Sequence, residues 1–145
     1  MGESGSASIE IKGSTPKILQ VIGNIEALPR WMDAVKSAEV LERDEQGRPA
    51  LARFDVDARI KRVGYTLRYS YPEGGVAWEM TEGDLKEITG SYQLRTIDHV
   101  TTVTYSYDID PGFPMPAFLR RQAVKVIVST ALEELKKRVE SLPDS

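Results

Sequence analysis

Apolar and polar residues alternate through most of the second half of the chain. A period of two is typical of strands that bury one face and expose the other. It predicts five strands, over residues 51–60, 63–71, 76–82, 86–94 and 100–109. The connections between them are short, which favours antiparallel neighbours over parallel crossovers. The second half is therefore expected to form an antiparallel meander.

The first fifty residues add two strands and two short helices. Residues 7–12 alternate like a strand, and an extended pattern resumes over 35–41. Between them, Ser14-Thr15-Pro16 offers a hydroxyl cap and a proline at the first helical position, which predicts a helix from Pro16. A second short helix is expected over 28–32, where Pro29 comes early and Trp31 follows. Two small helices should thus interrupt the sheet after its first strand.

The chain is expected to end in one long amphipathic helix. Three prolines within 111–116 cannot continue a strand ladder, so this segment should form a corner. From Ala117 to near Ser141 a helix of about 25 residues and about 37 Å is predicted. Its apolar stripe contains Val124, Ile127, Val128, Ala131, Leu132, Leu135 and Val139.

The predicted fold class is α+β, a curved antiparallel sheet of about seven strands closed by the long helix. A single domain is expected over 7–142, with a disordered N-terminus at 1–6 and a tail at 143–145. A chain of 145 residues, 41% of them apolar, is long enough to bury one core without stabilising disulfides or metal ions.

Composition narrows the functional classes. A net charge of -3 without a long basic run argues against a nucleic-acid partner. The chain has no cysteine, which removes thiolate nucleophiles and thiolate metal sites. No run approaches the roughly 18 apolar residues of a membrane span. The protein is expected to be a cytoplasmic monomer, without stable membrane insertion, cofactor or metal.

Large aromatic side chains share one face of the predicted sheet. Strand parity places the following residues on this face: Phe54, Ile60, Tyr65, Leu67, Tyr69, Trp78, Met80, Tyr92 and Tyr105. They either fill a solid core or line a cavity, and spacing alone leaves both possibilities open. In a cavity, the tyrosine hydroxyls would supply the few polar groups that orient an apolar ligand.

Few residues suggest catalysis. His99, the only histidine, falls in a predicted turn and is expected to be exposed. Glu82 shares parity with Trp78, so it lies either at the rim of the interior or, more simply, in a solvated turn. Glu82, Tyr65 and Tyr105 are the weak candidates for acid–base chemistry. No phosphate loop, dinucleotide fingerprint or HExxH motif occurs.

Basic residues cluster near the start of the long helix, at Arg120, Arg121 and Lys125. They either attract an anionic group to the mouth of a cavity or form the solvated side of the helix. The second interpretation is the simpler one.

Several short motifs resemble a known family. They are Leu-Pro-Arg-Trp-Met at 28–32, Val-Ala-Trp at 76–78, Gly-Ser-Tyr-Gln-Leu at 90–94, Thr-Val-Thr-Tyr at 102–105, Pro-Met-Pro at 114–116 and Leu-Lys-Lys-Arg-Val-Glu at 135–140. Together with the order of elements, they resemble the START-like (helix-grip) superfamily, and within it the bacterial polyketide cyclase/dehydrase and lipid-transport branch, common in actinobacteria. The resemblance covers nearly the whole chain.

The resemblance implies a cavity between the sheet and the C-terminal helix. This cavity would bind, and transport or present, a small hydrophobic or lipid-like ligand. Its expected lining is Trp31, Phe54, Tyr65, Leu67, Tyr69, Trp78, Met80, Tyr92, Tyr105, Met115, Phe118 and Val124.

Two other functions compete with binding. One is a polyketide cyclase or dehydratase that acts on an aromatic polyketide precursor, with Tyr65, Tyr105 and Glu82 as catalytic residues. The other is an interaction domain with a solid core. Binding is favoured over catalysis because parity predicts no inward His or Arg, and the chain has no Cys.

Overall fold

The computed structural model describes residues 2–58 and 61–143. The elements are, in chain order, β1 (Glu3–Lys12), α1 (Thr15–Gly23), a 3₁₀ helix (Ile25–Arg30), β2 (Val35–Arg43), β3 (Pro49–Asp57), β4 (Arg62–Ser70), β5 (Gly75–Gly83), β6 (Glu87–Ile97), β7 (Val100–Asp110) and α2 (Ala117–Ser141). The strands form one antiparallel sheet in the order β1-β7-β6-β5-β4-β3-β2. The predicted α+β, helix-grip architecture is confirmed.

The N-terminal strand is longer than predicted. β1 begins at Glu3 rather than Ala7, and its first residues pair with β7, with Glu3 opposite Ile109. The expectation of disorder over 1–6 is therefore wrong for residues 3–6. These residues lack an apolar pattern, but their backbone groups complete the ladder along β7 whatever their side chains are. The strand predicted over 51–60 differs from the structure at its end, because β3 ends at Asp57. Arg59 and Ile60, which the prediction included, lie outside the described residues.

The two short helices differ in how closely they follow the sequence signals. Ser14 caps α1 as predicted, its Oγ accepting a hydrogen bond from the Lys17 backbone N–H at 3.3 Å. The second helix begins at Ile25 rather than Leu28 and contains Pro29. A short 3₁₀ helix has few internal hydrogen bonds, so the N–H that proline lacks is a small loss there.

Apolar packing fixes α2 against the rest of the domain. Its C-terminal half buries Leu135 and Val139 against Ile11 of β1 and Ile18 of α1. A second apolar cluster lies under β3, β4 and the 3₁₀ helix and includes Phe54. Trp78 packs against both clusters. Among the described residues, no helix is long and apolar enough to cross a membrane.

Candidate ligand-binding cavity

A cavity of about 240 Å³ lies between the inner face of the sheet and the N-terminal half of α2. Strands β3 to β7 supply its floor, and the α2 face that carries Ala123 and Ile127 supplies a wall. Trp31, after the 3₁₀ helix, and the segment 111–116, after β7, complete its border. Most of the lining side chains are apolar, so the interior offers contact area with few polar groups.

The structure brings most of the expected lining residues together. Those that line the cavity are Trp31, Phe54, Tyr65, Leu67, Tyr69, Trp78, Tyr92, Tyr105, Met115 and Val124. Met80 packs instead in the apolar cluster beside it. The expectation for Phe118 is wrong, because its side chain is 68% exposed. Phe118 lies in the first turn of α2.

Aromatic rings form a connected cluster at one side of the cavity. The Trp78 ring centre lies 5.2 Å from that of Tyr92 and 5.6 Å from that of Tyr105. Tyr92 and Tyr105 approach edge to face at 5.0 Å, a geometry that their ring quadrupoles favour. Tyr69 extends the cluster, with its ring centre 6.2 Å from that of Trp78. Four neighbouring strands thus build one aromatic wall.

The four cavity tyrosines keep their protons at neutral pH. Burial raises the pKa of Tyr105 to about 12 and raises the pKa values of Tyr65, Tyr69 and Tyr92 above the ordinary 10.0. Within residues 2–58 and 61–143, none of these hydroxyls makes a hydrogen bond to a protein group. They are therefore neutral groups that can donate to an oxygen atom in the cavity.

Arg120 lines the cavity, which is the less favoured of the two positions that the sequence allowed. The interpretation that it belongs to the solvated side of α2 is wrong, because it lines the cavity and its side chain is only 12% exposed. Its Nε donates to Glu3 Oε1 at 3.1 Å and its Nη1 to the Met115 carbonyl at 3.4 Å. The helical spacing did indicate this position, because Arg120 lies four residues before Val124 and therefore on the same face of α2.

Lys61 is also a charged residue that lines the cavity. The sequence placed it in a short connection between strands and gave it no role. Its Nζ lies 5.5 Å from the centre of the Phe113 ring, within the range of a cation–π contact. Because Phe113 also lines the cavity, Lys61 adjoins the same border segment as Arg120.

The remaining catalytic candidates lie away from the cavity. Glu82 is exposed, and the idea that it forms the rim of the interior is wrong. Glu82 is exposed because β5 has a bulge. Leu67 pairs with Met80, but Thr66 pairs with Glu82, so Thr81 is an extra residue in β5. Beyond the bulge, inward and outward positions along the strand are exchanged. His99 is exposed in the β6–β7 turn, as expected.

Solved structures share this fold over nearly the whole chain. A START superfamily protein from Mycobacterium smegmatis matches 97% of this chain and 99% of its own, with a TM-score of 0.90 and 22% identity. The Zhui aromatase/cyclase from Streptomyces sp. R1128 matches 97% of this chain and 94% of its own, with a TM-score of 0.78 and 14% identity. A STAR-related lipid transfer protein from Xanthomonas axonopodis matches 93% and 84%, with a TM-score of 0.72 and 17% identity.

Sequence comparison assigns the family. None of the curated protein sequences matches this chain significantly. The sequence profile of the family described as "Polyketide cyclase / dehydrase and lipid transport" matches residues 14–136, which extend from the cap of α1 into the last turns of α2. The match includes the cavity-lining strands and most of the long helix. The chain therefore belongs to the polyketide cyclase/dehydrase and lipid transport family.

Proposed function

We propose that this protein binds a small hydrophobic or lipid-like molecule in the cavity and transports or presents it. The observation that carries the proposal is the apolar cavity with four tyrosine hydroxyls that form no hydrogen bond with any described residue. Ligand pockets have this makeup, a mostly apolar lining with a few polar groups, and volumes upward of roughly 300 Å³. The volume of about 240 Å³ is close to that range.

Packing density favours a ligand site over a solid core. Protein interiors are normally close-packed, with few voids larger than a water molecule. A space of about 240 Å³ between sheet and helix is far larger than such packing leaves. An interaction domain with a solid core has no need of this space, whereas a bound apolar molecule would fill it.

The two tryptophans provide a direct assay. Trp31 and Trp78 are the only tryptophans of the sequence, and both line the cavity. Titration with dodecanoate, dodecan-1-ol, a quinone and an aromatic polyketide should change tryptophan emission saturably for at least one class, with a Kd below about 100 μM. Mass spectrometry of a lipid extract of the purified protein provides an independent readout.

A pair of neighbouring substitutions tests whether the ligand enters the cavity. Ala123→Phe fills space at the cavity wall and should weaken binding at least about tenfold. Gln122→Phe adds the same ring at the preceding residue, which is exposed, and should leave binding unchanged. If no class binds below about 1 mM, or if Ala123→Phe binds as well as the unsubstituted protein, the proposal is wrong.

The cyclase or dehydratase alternative draws support from the tyrosine hydroxyls that face one cavity. With Glu82 exposed and the tyrosines neutral, that chemistry would depend on hydrogen-bond donation and on restriction of the substrate's conformation. Turnover of a poly-β-keto substrate that falls at least about tenfold in both Tyr65→Phe and Tyr105→Phe would favour catalysis over carriage.

A further inference from the structure

Two cations border one end of the cavity, and none of the described residues that line it is acidic. Arg120 and Lys61 are the charged members of the lining within residues 2–58 and 61–143. Both adjoin the segment 111–116: the Lys61 Nζ lies over the Phe113 ring, and the Arg120 Nη1 donates to the Met115 carbonyl. The positive charge is therefore concentrated at the end of the cavity that this segment covers.

Arg120, which lines the cavity, retains a hydrogen-bond donor that no described residue uses. Its Nε and Nη1 are engaged, whereas its Nη2 makes no hydrogen bond to any group in residues 2–58 and 61–143. The side chain is only 12% exposed, yet Nη2 is not fully buried, so an acceptor can reach it. A largely buried guanidinium gains from an additional charged acceptor, because such hydrogen bonds are about twice as strong as neutral ones.

The charged side chains at this end of the cavity suit a ligand group with a single negative charge. Glu3, itself only 15% exposed, neutralises Arg120 through the bond between Nε and Oε1. Lys61 is exposed, contacts the Phe113 ring and forms no ion pair with any described residue, so no carboxylate among those residues neutralises it. A dianionic group would place an excess negative charge beside an apolar interior, which is costly. A monoanion would not.

We infer that the ligand is a monoanionic amphiphile, a carboxylate on an apolar body, whose carboxylate lies between Arg120 and Lys61. Its apolar part extends toward the aromatic cluster around Trp78, where the lining offers contact area and neutral hydroxyls. This inference rests on the proposed function and narrows its ligand class from hydrophobic molecules in general to acids with one charge.

Matched ligands separate the charge from the apolar body. Dodecanoate and dodecan-1-ol have the same chain length, and at about pH 8 the acid is ionised while the alcohol is neutral. Followed by tryptophan emission, dodecanoate should bind at least about tenfold more tightly than the alcohol.

Substitutions then assign the preference to its residues. Lys61→Gln and the double substitution Glu3→Gln with Arg120→Gln should each reduce the preference to about threefold or less. The double substitution avoids an unpaired buried charge. Lys61 is exposed, so its replacement does not threaten the fold. Arg121→Gln is the matched control, since Arg121 is exposed and does not line the cavity.

Three results would overturn the inference in different ways. Equal affinity for the acid and the alcohol would refute a charged ligand and leave the proposed function intact. Retention of the preference in both substituted proteins would show that Arg120 and Lys61 do not hold the carboxylate. Failure of every ligand class to bind would refute the proposed function as well.

Discussion

At the residue scale, the aromatic cluster depends on a glycine. Gly90 of β6 lies opposite Trp78 of β5. A Cβ atom added at Gly90 would lie 2.6 Å from atoms of the indole ring, closer than any real carbon contact. The missing side chain lets the indole lie against the backbone of β6 and reach Tyr92 and Tyr105. Trp78 can therefore take this position only because Gly90 has no side chain.

Gly90→Ala should displace the indole and loosen the aromatic cluster. We expect a loss of about 1–3 kcal/mol in the free energy of unfolding, as for other insertions into packed interiors, together with weaker ligand binding. Urea denaturation followed by far-ultraviolet circular dichroism measures the loss. Gly23→Ala is the control, because a Cβ at Gly23 meets nothing within 4 Å. Equal unfolding midpoints for the two substituted proteins would show that the Gly90 contact does not matter.

At the element scale, alternation predicted the strands and helical spacing predicted α2, because each of these elements buries one face. The sequence predictions failed where strand pairing is irregular and where a charged residue packs in the interior. The bulge at Thr81 has no sequence signature and reverses the side of Glu82. Arg120 has the helical spacing of Val124, but its charge removed it from the predicted apolar stripe. Its partner Glu3 lies in a stretch without apolar periodicity, so neither half of the pair was predicted.

The N-terminal half of β1 should contribute to stability rather than behave as a tail. Deletion of residues 2–6 removes strand pairing along β7 and the Glu3–Arg120 ion pair, and leaves a largely buried guanidinium without its carboxylate. We expect a loss of about 2–4 kcal/mol in the free energy of unfolding, measured by urea denaturation. Glu3→Gln, which keeps the strand, should account for only part of this loss. Unchanged stability after the deletion would mean that residues 3–6 contribute nothing in solution.

At the scale of the whole molecule, the site results from convergence of strands that are distant in sequence. Tyr69 of β4, Tyr92 of β6 and Tyr105 of β7 meet around Trp78 of β5. Parity predicted that these residues face the same side, since it needs only the period of a strand. The distance between sheet and helix depends on sheet curvature and on how α2 packs. These are properties of tertiary structure, so the choice between a core and a cavity required the structure.

The convergence of buried and half-buried tyrosines should make the protein sensitive to alkaline pH. Folding raises the pKa of Tyr105 to about 12, whereas the unfolded chain ionises near the ordinary value of 10.0. Above about pH 10 the unfolded state releases protons that the folded state retains, so stability is fully present below that pH and falls as the pH rises. Each such tyrosine lowers the free energy of unfolding by up to about 1.4 kcal/mol per pH unit.

Urea midpoints measured between about pH 8 and pH 11 should therefore fall steeply at the alkaline end, and Tyr105→Phe should make the fall shallower because one ionisation is removed. Phenolate absorbance measured in the folded protein and in urea reports the same linkage directly, since the folded protein should titrate later than the unfolded chain. Coincident titration curves would mean that the cavity tyrosines are already in contact with bulk water. In that event neither their burial nor the apolar character of the cavity would hold in solution.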